Sequence, residues 1–252
     1  MSGWNIAAAQ SGSRAGNIGW NIERHLAFIQ QAAEQDVDLL VFPELSLTGY
    51  ELPLMAELAM AADDPRLQVF ADAAQQYGMS ICIGLPLKSQ QDVMLSAATF
   101  LADGTRFSYS KRNLFGDEQQ IFRQGTAVPM FGQPQQNVVL AICADISVEQ
   151  FARDAAQQGA DLYATSVLVS EKGYEADCAL LARWSETCQM AVLMANHAWP
   201  TGAYVSAGKS AFWSPDGQQV VRGGDGEQLI IARRQGSRWH GEVHALRDAP
   251  HR

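Results

Sequence analysis

The chain has 252 residues, 47% of them hydrophobic and 18% charged, which is typical of a globular protein and excludes a collagen-like or disordered chain. Its 18 basic and 27 acidic residues give a net charge of −9, and no Lys/Arg-rich run appears, so we expect neither nucleic acid nor a membrane as partner. No apolar run of roughly 18 residues predicts a transmembrane helix, and the N-terminus lacks the pattern of a secretory signal. With four cysteines and no CxxC pair, we expect a cytoplasmic protein with reduced thiols.

The first part of the chain alternates between apolar runs typical of strands and the 3.6-residue periodicity of helices. Gly78 stands where a helix-ending glycine belongs, and Asp103-Gly104 is a typical hairpin turn. In chain order, the predicted elements are strand Trp4–Gln10, helix Ile18–Gln35, strand Val37–Pro43, helix Pro65–Tyr77 and strands Met79–Leu87, Leu95–Ala102 and Arg106–Ser110.

The second part continues the alternation and then consists of strands only. The predicted elements are strand Val138–Cys143, helix Val148–Gln158, strand Asp161–Val167, helix Tyr174–Gln189 and strands Met190–Asn196, Ser210–Ser214, Gln218–Arg222, Gln228–Arg233 and His240–His244. Because no linker or repeat interrupts this order, we expect one α/β domain over residues 1–252, with the C-terminal strands in 228–252 peripheral. Propensity does not decide between one sheet and two.

Three predicted strands are followed directly by, or end in, reactive side chains: Glu44, Lys111 and Cys143. In α/β sheets, sites gather at the carboxyl ends of strands, so these three are candidates for one pocket. A cation or a helix N-terminus lowers the pKa of a thiol, and a carboxyl at the buried end of a strand has a raised pKa that suits proton transfer. Lys111 and the backbone N–H of Ala144 are candidates to stabilise an oxyanion.

Each of these residues also has a simpler interpretation when taken alone. A cysteine after an apolar strand is usually an inert core residue. Glu44 fits a surface turn or a helix start, and Lys111 beside Arg112 fits a solvated charge. The functional prediction therefore depends on the three residues occurring together.

Three segments resemble the motifs of the nitrilase (carbon–nitrogen hydrolase) superfamily. Pro43–Tyr50 (PELSLTGY) is similar to its glutamate motif, Tyr109–Phe115 followed by Glu118 to its lysine motif, and Ile142–Asp145 (ICAD) to its cysteine motif. Their order and separations also suit that family, and the resemblance spans roughly residues 4 to 234.

The resemblance implies a four-layer α-β-β-α sandwich of two mixed sheets, a homodimer, and a hydrolase that needs no cofactor or metal. By motif, Cys143 is the nucleophile, Glu44 the general base and Lys111 the charge stabiliser, with Glu118 and the backbone N–H of Ala144 in support. The implied reaction cleaves a non-peptide C–N bond through a thioester on Cys143 and releases ammonia.

The implied substrate is a small amide, with an ω-amide of a dicarboxylic acid as first expectation and an N-carbamoyl amino acid or amine as the alternative. Tyr50, Phe115 and Trp199 are the candidate pocket walls. The chain departs from many members in having Ala144 instead of a bulky aromatic residue after the cysteine. It also has Ser147 in the segment where they carry an arginine, which removes a possible anchor for a carboxylate.

Other interpretations compete with this one. Cys143 with His197, oriented by Asp145, would form a Cys-His acyl transferase or protease-like site. Gly208-Lys209-Ser210 resembles the end of a phosphate-binding loop, but no helix is predicted to follow. A catalytically silent binding protein on the same fold is the alternative of another class.

A metal site is a further alternative near the C-terminus. His240, Glu242 and His244 alternate along one predicted strand, so their side chains share a face. The spacing is not that of a known zinc motif, and a polar strand face is the simpler interpretation.

Overall fold

The strands form two sheets. The computed structural model describes residues 3–247. Its strands are β1 (Trp4–Gln10), β2 (Leu39–Val41), β3 (Ser80–Ser89), β4 (Asp92–Phe100), β5 (Arg106–Ser110), β6 (Met130–Phe131), β7 (Val138–Ile142), β8 (Leu162–Ser166), β9 (Ala191–Ala195), β10 (Ala211–Trp213), β11 (Gln219–Arg222), β12 (Gln228–Gln235) and β13 (Arg238–Ala245). One sheet has the order β13-β12-β1-β2-β3-β4-β5 and the other β11-β10-β9-β8-β7-β6. Both mix parallel and antiparallel pairs.

The helices include the four that the sequence predicts, in that order, and one further short helix at Met55–Leu58. They are α1 (Ile18–Ala33), α2 (Met55–Leu58), α3 (Gln68–Tyr77), α4 (Glu149–Gln157) and α5 (Tyr174–Cys188), with 3₁₀ turns at Leu52–Leu54, Pro65–Leu67, Gly116–Gln120 and Cys143–Ser147. The predicted helix from Pro65 thus begins as a 3₁₀ turn. It ends at Gly78, whose φ of 65° is a left-handed conformation that glycine adopts without strain. None of the helices within residues 3–247 is long and apolar enough to cross a bilayer.

Alternation along apolar strands builds two buried layers. In β1, Ile6 and Ala8 belong to a cluster shared with the second sheet, whereas Ala7 and Ala9 belong to a cluster shared with α1 and α3. Successive side chains of a strand point to opposite faces, so a strand buried on both sides must be apolar throughout. On the other side, α4 and α5 contribute Phe151 and Leu181 to the core. The four-layer α-β-β-α sandwich is therefore confirmed.

The C-terminal strands differ from the prediction. β12 lies between β1 and β13 in the larger sheet, and its residues Leu229–Ala232 are fully buried. β12 is therefore an inner strand whose central residues lie in the core, rather than a peripheral strand, because it pairs along the whole of β1. Within the described residues, β13 is the edge strand, and the predicted peripheral residues 248–252 lie outside the described part of the chain.

Candidate active site

The three predicted residues come together behind one cavity. Lys111 Nζ donates a hydrogen bond to Glu44 Oε1 at 2.7 Å and another to Glu118 Oε1 at 2.8 Å. The side chains of Lys111, Glu44 and Glu118 are at most 1% exposed. Glu44, Glu118 and Cys143 line a cavity of about 280 Å³. Isolated charges are rarely buried this deeply, and here one ammonium between two carboxylates offsets the cost of dehydrating them.

The electrostatics of this cluster favour a thiol beside a proton acceptor. Burial raises the pKa of Glu44 to about 7, and the ammonium of Lys111 limits that rise. Burial also raises the pKa of Cys143, and the negative Glu44 raises it further while Lys111 opposes both. For Lys111, burial acts to lower the pKa, but the attraction of its negative neighbours outweighs it and raises the pKa. A neutral thiol beside a carboxylate that titrates near neutrality is suited to proton transfer between the two.

The loop after β7 presents Cys143 to the cavity. Its φ of 43° lies in the left-handed region, which costs about 1–3 kcal/mol for a residue with a Cβ. The chain then turns at once into the 3₁₀ turn, so the thiol projects past the strand end, where it is partly exposed and lies 3.8 Å from the carbonyl oxygen of Leu168. Ala144 lines the cavity next to it. Strain of this kind persists only where surrounding contacts hold the backbone.

Asp145 supplies much of that support. Its Oδ2 accepts hydrogen bonds from the Ile142 N–H at 2.9 Å and the Tyr109 hydroxyl at 2.6 Å, and its Oδ1 accepts from the backbone and side chain of Asn113 at 2.9 Å each. The carboxylate is fully buried. It therefore ties the cysteine loop to the segment that carries Lys111.

Contacts from three other segments hold the loop that carries Glu44 in place. A Cβ on Gly84 would lie 2.3 Å from the Pro43 carbonyl oxygen, so only glycine lets β3 approach this closely. His197 Nε2 lies 2.7 Å from the Glu44 carbonyl oxygen, and Ser166 Oγ donates to the Phe42 carbonyl oxygen at 2.8 Å. These contacts hold the backbone on both sides of Glu44.

The contacts of His197 contradict the alternative in which it pairs with Cys143. Its Nε2 bonds to the Glu44 backbone, its Nδ1 has no hydrogen-bond partner among residues 3–247, and it is not in the cavity wall. Burial lowers its pKa to about 4, so it is neutral near pH 7. Asp145 does not orient it, since Tyr109, Asn113 and Ile142 occupy that carboxylate. His197 acts as a support for Glu44 and not as a base for Cys143.

Two of the three predicted wall residues line the cavity. Tyr50 does so while donating its hydroxyl to Glu118 Oε1 at 2.6 Å, and Phe115 does so with 61% of its surface exposed. Trp199 is not part of the wall: its ring packs 5.8 Å from that of Trp20.

Apart from Ser147, which replaces a possible carboxylate anchor, the rest of the wall had no signal in the sequence. It consists of Ile146, Ser147, Leu168, Val169, Ser170, Asp177 and Tyr204. Most of these residues follow β8 or lie in later segments that carry no motif. Only their place in the folded chain brings them to the cavity.

The other sequence motifs lie elsewhere. Lys209 holds its Nζ 5.4 Å over the ring of Tyr174, and its segment leads into β10 rather than a helix. Glu242 pairs with Arg233 at 2.9 Å and with His244 at 3.1 Å. Within residues 3–247, no three His, Cys, Asp or Glu side chains are grouped so that they could hold a metal ion.

Comparison with known proteins supports the motif assignment. The model of the carbon–nitrogen hydrolase family matches residues 5–240. A protein of Pseudomonas protegens named "Hydrolase in pqqF 5'region" is 32% identical over 90% of this chain and 81% of its own length. An (R)-stereoselective amidase of Pseudomonas sp is 28% identical over 91% of this chain and 88% of its own. A mutant amidase from Nesterenkonia sp. AN1, solved in complex with butyramide, has the same fold, with a TM-score of 0.83 at 24% identity over 90% of this chain and 89% of that one. The family predicted from the three motifs is confirmed, and this chain belongs to the carbon–nitrogen hydrolases.

Proposed function

We propose that the protein hydrolyses the C–N bond of small amides, with Cys143 as nucleophile. The observation that carries this proposal is the buried cluster in which Lys111 donates hydrogen bonds to both Glu44 and Glu118. The thiol of Cys143 lies beside this cluster and lines the cavity. A structural cysteine needs neither a buried ammonium nor two carboxylates nearby. Relatives with the names of amidases support the same reaction class.

The proposed first half of the reaction acylates the enzyme. Glu44 accepts the proton of the Cys143 thiol as sulfur attacks the amide carbonyl carbon. The negative charge on the carbonyl oxygen is stabilised by Lys111 and by the backbone N–H of Ala144. When the C–N bond breaks, Glu44 returns the proton to nitrogen, ammonia leaves, and the acyl group remains on sulfur as a thioester.

The proposed second half releases the acid. Glu44 removes a proton from water, and the resulting hydroxide attacks the thioester carbonyl. The C–S bond breaks, the thiol regains its proton, and the carboxylic acid leaves. Glu118 does not touch the reacting atoms in this scheme: it holds Lys111 and is held by Tyr50.

The cavity favours a small acyl group. Its volume is about 280 Å³, and Ile146, Leu168, Val169 and the ring of Tyr204 make much of its wall apolar. An ω-amide of a dicarboxylic acid and an N-carbamoyl compound are the substrates that the family resemblance suggests, and an omega-amidase of Danio rerio is a relative at 25% identity over 92% of this chain. Both remain predictions.

An ammonia-release assay tests the proposal. Wild type is expected to turn over small primary amides, while C143A and C143S lose nearly all turnover and keep the thermal unfolding midpoint within a few degrees. Mass spectrometry of the quenched wild type should show an acyl adduct on Cys143. If no amide, carbamoyl compound or nitrile is turned over, and Cys143 alkylates no faster than Cys178, the catalytically silent alternative replaces this one.

The remaining expectations also have direct tests. We propose that residues 1–252 act as one domain, that the protein works in the cytoplasm as a homodimer, and that it needs no metal. Light scattering would measure the oligomer, and fractionation of the native host cells would measure the compartment. Activity that falls on dialysis against a chelator and returns with a metal would contradict the last expectation.

A further inference from the structure

Asp177 is a carboxylate in the active-site wall that has no protein partner. It lies in the first turn of α5 and lines the same cavity as Cys143. Within residues 3–247, its side chain forms no hydrogen bond or ion pair. The residue is half-buried, and burial raises its pKa with no cation nearby to oppose the rise. A half-buried carboxylate that faces a ligand cavity and has no protein partner is a candidate for contact with the ligand.

The charged side chains in the described part of the cavity wall are all acidic. Lys111, the ammonium of the site, is already held between Glu44 and Glu118. Among the described wall residues there is no other lysine and no arginine. Ser147 lies in the wall within the segment where many family members carry an arginine, and Lys209 lies over the ring of Tyr174 instead.

A cleft beside the cavity is also lined by acidic residues. A neighbouring cleft shares Tyr50 and Tyr204 with the cavity wall and is lined by Glu51 and Asp117, again without a basic residue among the described ones. Carboxylates concentrated along a cleft attract cations and repel anions. The net charge of −9 adds to this field.

We infer that Asp177 is a specificity-determining residue that binds an ammonium group on the acyl part of the substrate, so that the enzyme prefers amides of amino acids with a terminal amine. This inference rests on the proposed amide hydrolysis. An ammonium donates charge-assisted hydrogen bonds to a carboxylate. A substrate carboxylate at the same place would face an uncompensated like charge. The dicarboxylic ω-amides that the family resemblance suggests are therefore expected to be poor substrates, and the substrate comparison below decides between the two predictions.

The simpler explanation is that Asp177 only stabilises the N-terminus of α5. Glu175 lies in the same first turn but is exposed and outside the cavity wall, so it provides a matched control. A helix-stabilising role would make D177N and E175Q behave alike in stability and leave the substrate preference unchanged in both.

Three amides of equal chain length separate the charges. They are 4-aminobutyramide (cationic), pentanamide (neutral) and the monoamide of glutaric acid (anionic). For wild type, kcat/KM is expected to fall in that order. D177N should lower kcat/KM for the cationic amide roughly tenfold to hundredfold more than it lowers kcat/KM for pentanamide, while E175Q changes neither. Shorter and longer aminoamides, 3-aminopropanamide and 5-aminopentanamide, test whether the preference depends on reach.

The outcomes separate the inference from the proposed function. Turnover of pentanamide with equal rates for all three charges, or the same charge preference in D177N, overturns the inference and leaves amide hydrolysis standing. If wild type hydrolyses none of them, calorimetric titration of C143A with 4-aminobutyramide and pentanamide decides: tighter binding of the cation that D177N abolishes supports the role of Asp177, and equal binding overturns it.

Discussion

The hydroxyl of Tyr109 donates a hydrogen bond to Asp145 Oδ2 at 2.6 Å, and this contact joins the two sheets at the active site. Tyr109 lies in β5 of the larger sheet, two residues before Lys111. Asp145 lies two residues after Cys143, in the 3₁₀ turn that follows β7 of the smaller sheet. The bond therefore fixes the lysine loop relative to the cysteine loop, although the two segments belong to different layers.

Replacement of Tyr109 by phenylalanine tests this link. Y109F leaves a buried charged acceptor with one donor fewer, so the free energy of unfolding should fall by about 1–3 kcal/mol, and kcat should fall more than KM changes. Y163F is a matched control, because the Tyr163 hydroxyl is buried without a hydrogen-bond partner in the described chain. Chemical denaturation and steady-state kinetics measure both effects. Equal losses in Y109F and Y163F would show that the Tyr109–Asp145 bond contributes nothing specific.

Glu44 should determine the acidic limb of the pH–rate profile. Because the pKa of Glu44 is raised to about 7, the carboxylate that accepts protons is lost as the pH falls below that value. We expect kcat/KM to rise with pH through about 7. E44Q should lower kcat by roughly 10²–10⁴-fold and remove this limb from the residual activity. A residual limb of unchanged midpoint in E44Q would assign it to another group.

Loss of Lys111 should damage both stability and rate. K111A leaves Glu44 and Glu118 buried without their shared cation, which should cost roughly 3–5 kcal/mol of unfolding free energy. Protonating Glu44 removes part of its repulsion with Glu118, so the variant should regain stability relative to wild type as the pH falls. Urea unfolding at neutral and mildly acidic pH measures this, with K172A, an exposed lysine, as control. A constant difference between K111A and wild type at all pH values would contradict it.

Two buried histidines should make the fold sensitive to acid. Burial lowers the pKa values of His25 and His197 from 6.5 to about 4. Between these pH values the unfolded chain binds more protons, so the stability that each histidine contributes is complete above about 6.5 and is lost as the pH falls towards 4, by about 1.4 kcal/mol per pKa unit. The raised pKa values of Glu44, Asp38 and Asp177 act in the opposite direction over part of this window, so the histidine contribution is measured as the difference between a variant and wild type.

The slope of stability against pH measures this contribution. H25Q should make the slope shallower between pH 6.5 and 4, whatever its effect on absolute stability. Q76A, at an exposed position without a titratable group, should leave the slope unchanged. Slopes that are the same in H25Q and wild type would show that His25 is not responsible.

The amino-acid sequence by itself predicted most of the elements, the family and the three residues that the fold brings together at the cavity. Periodicity is a local property, so β1 is recognisable without its neighbours, and the motifs at Glu44, Lys111 and Cys143 are short and continuous. The position of β12 in the sheet does not follow from its own residues, because its composition also fits a peripheral strand. It is buried because it pairs with β1.

Only the tertiary structure decided which side chains surround the thiol. The sequence predicted Trp199 as a wall residue and gave no sign of Asp177, yet Asp177 lines the cavity and Trp199 packs against Trp20. The tertiary structure also decided the role of His197, which bonds to the backbone of Glu44 and not to Cys143. Motifs carry the groups that react, because that chemistry requires particular residue types. The cavity wall and its charge depend on how distant segments pack, and no local pattern encodes that.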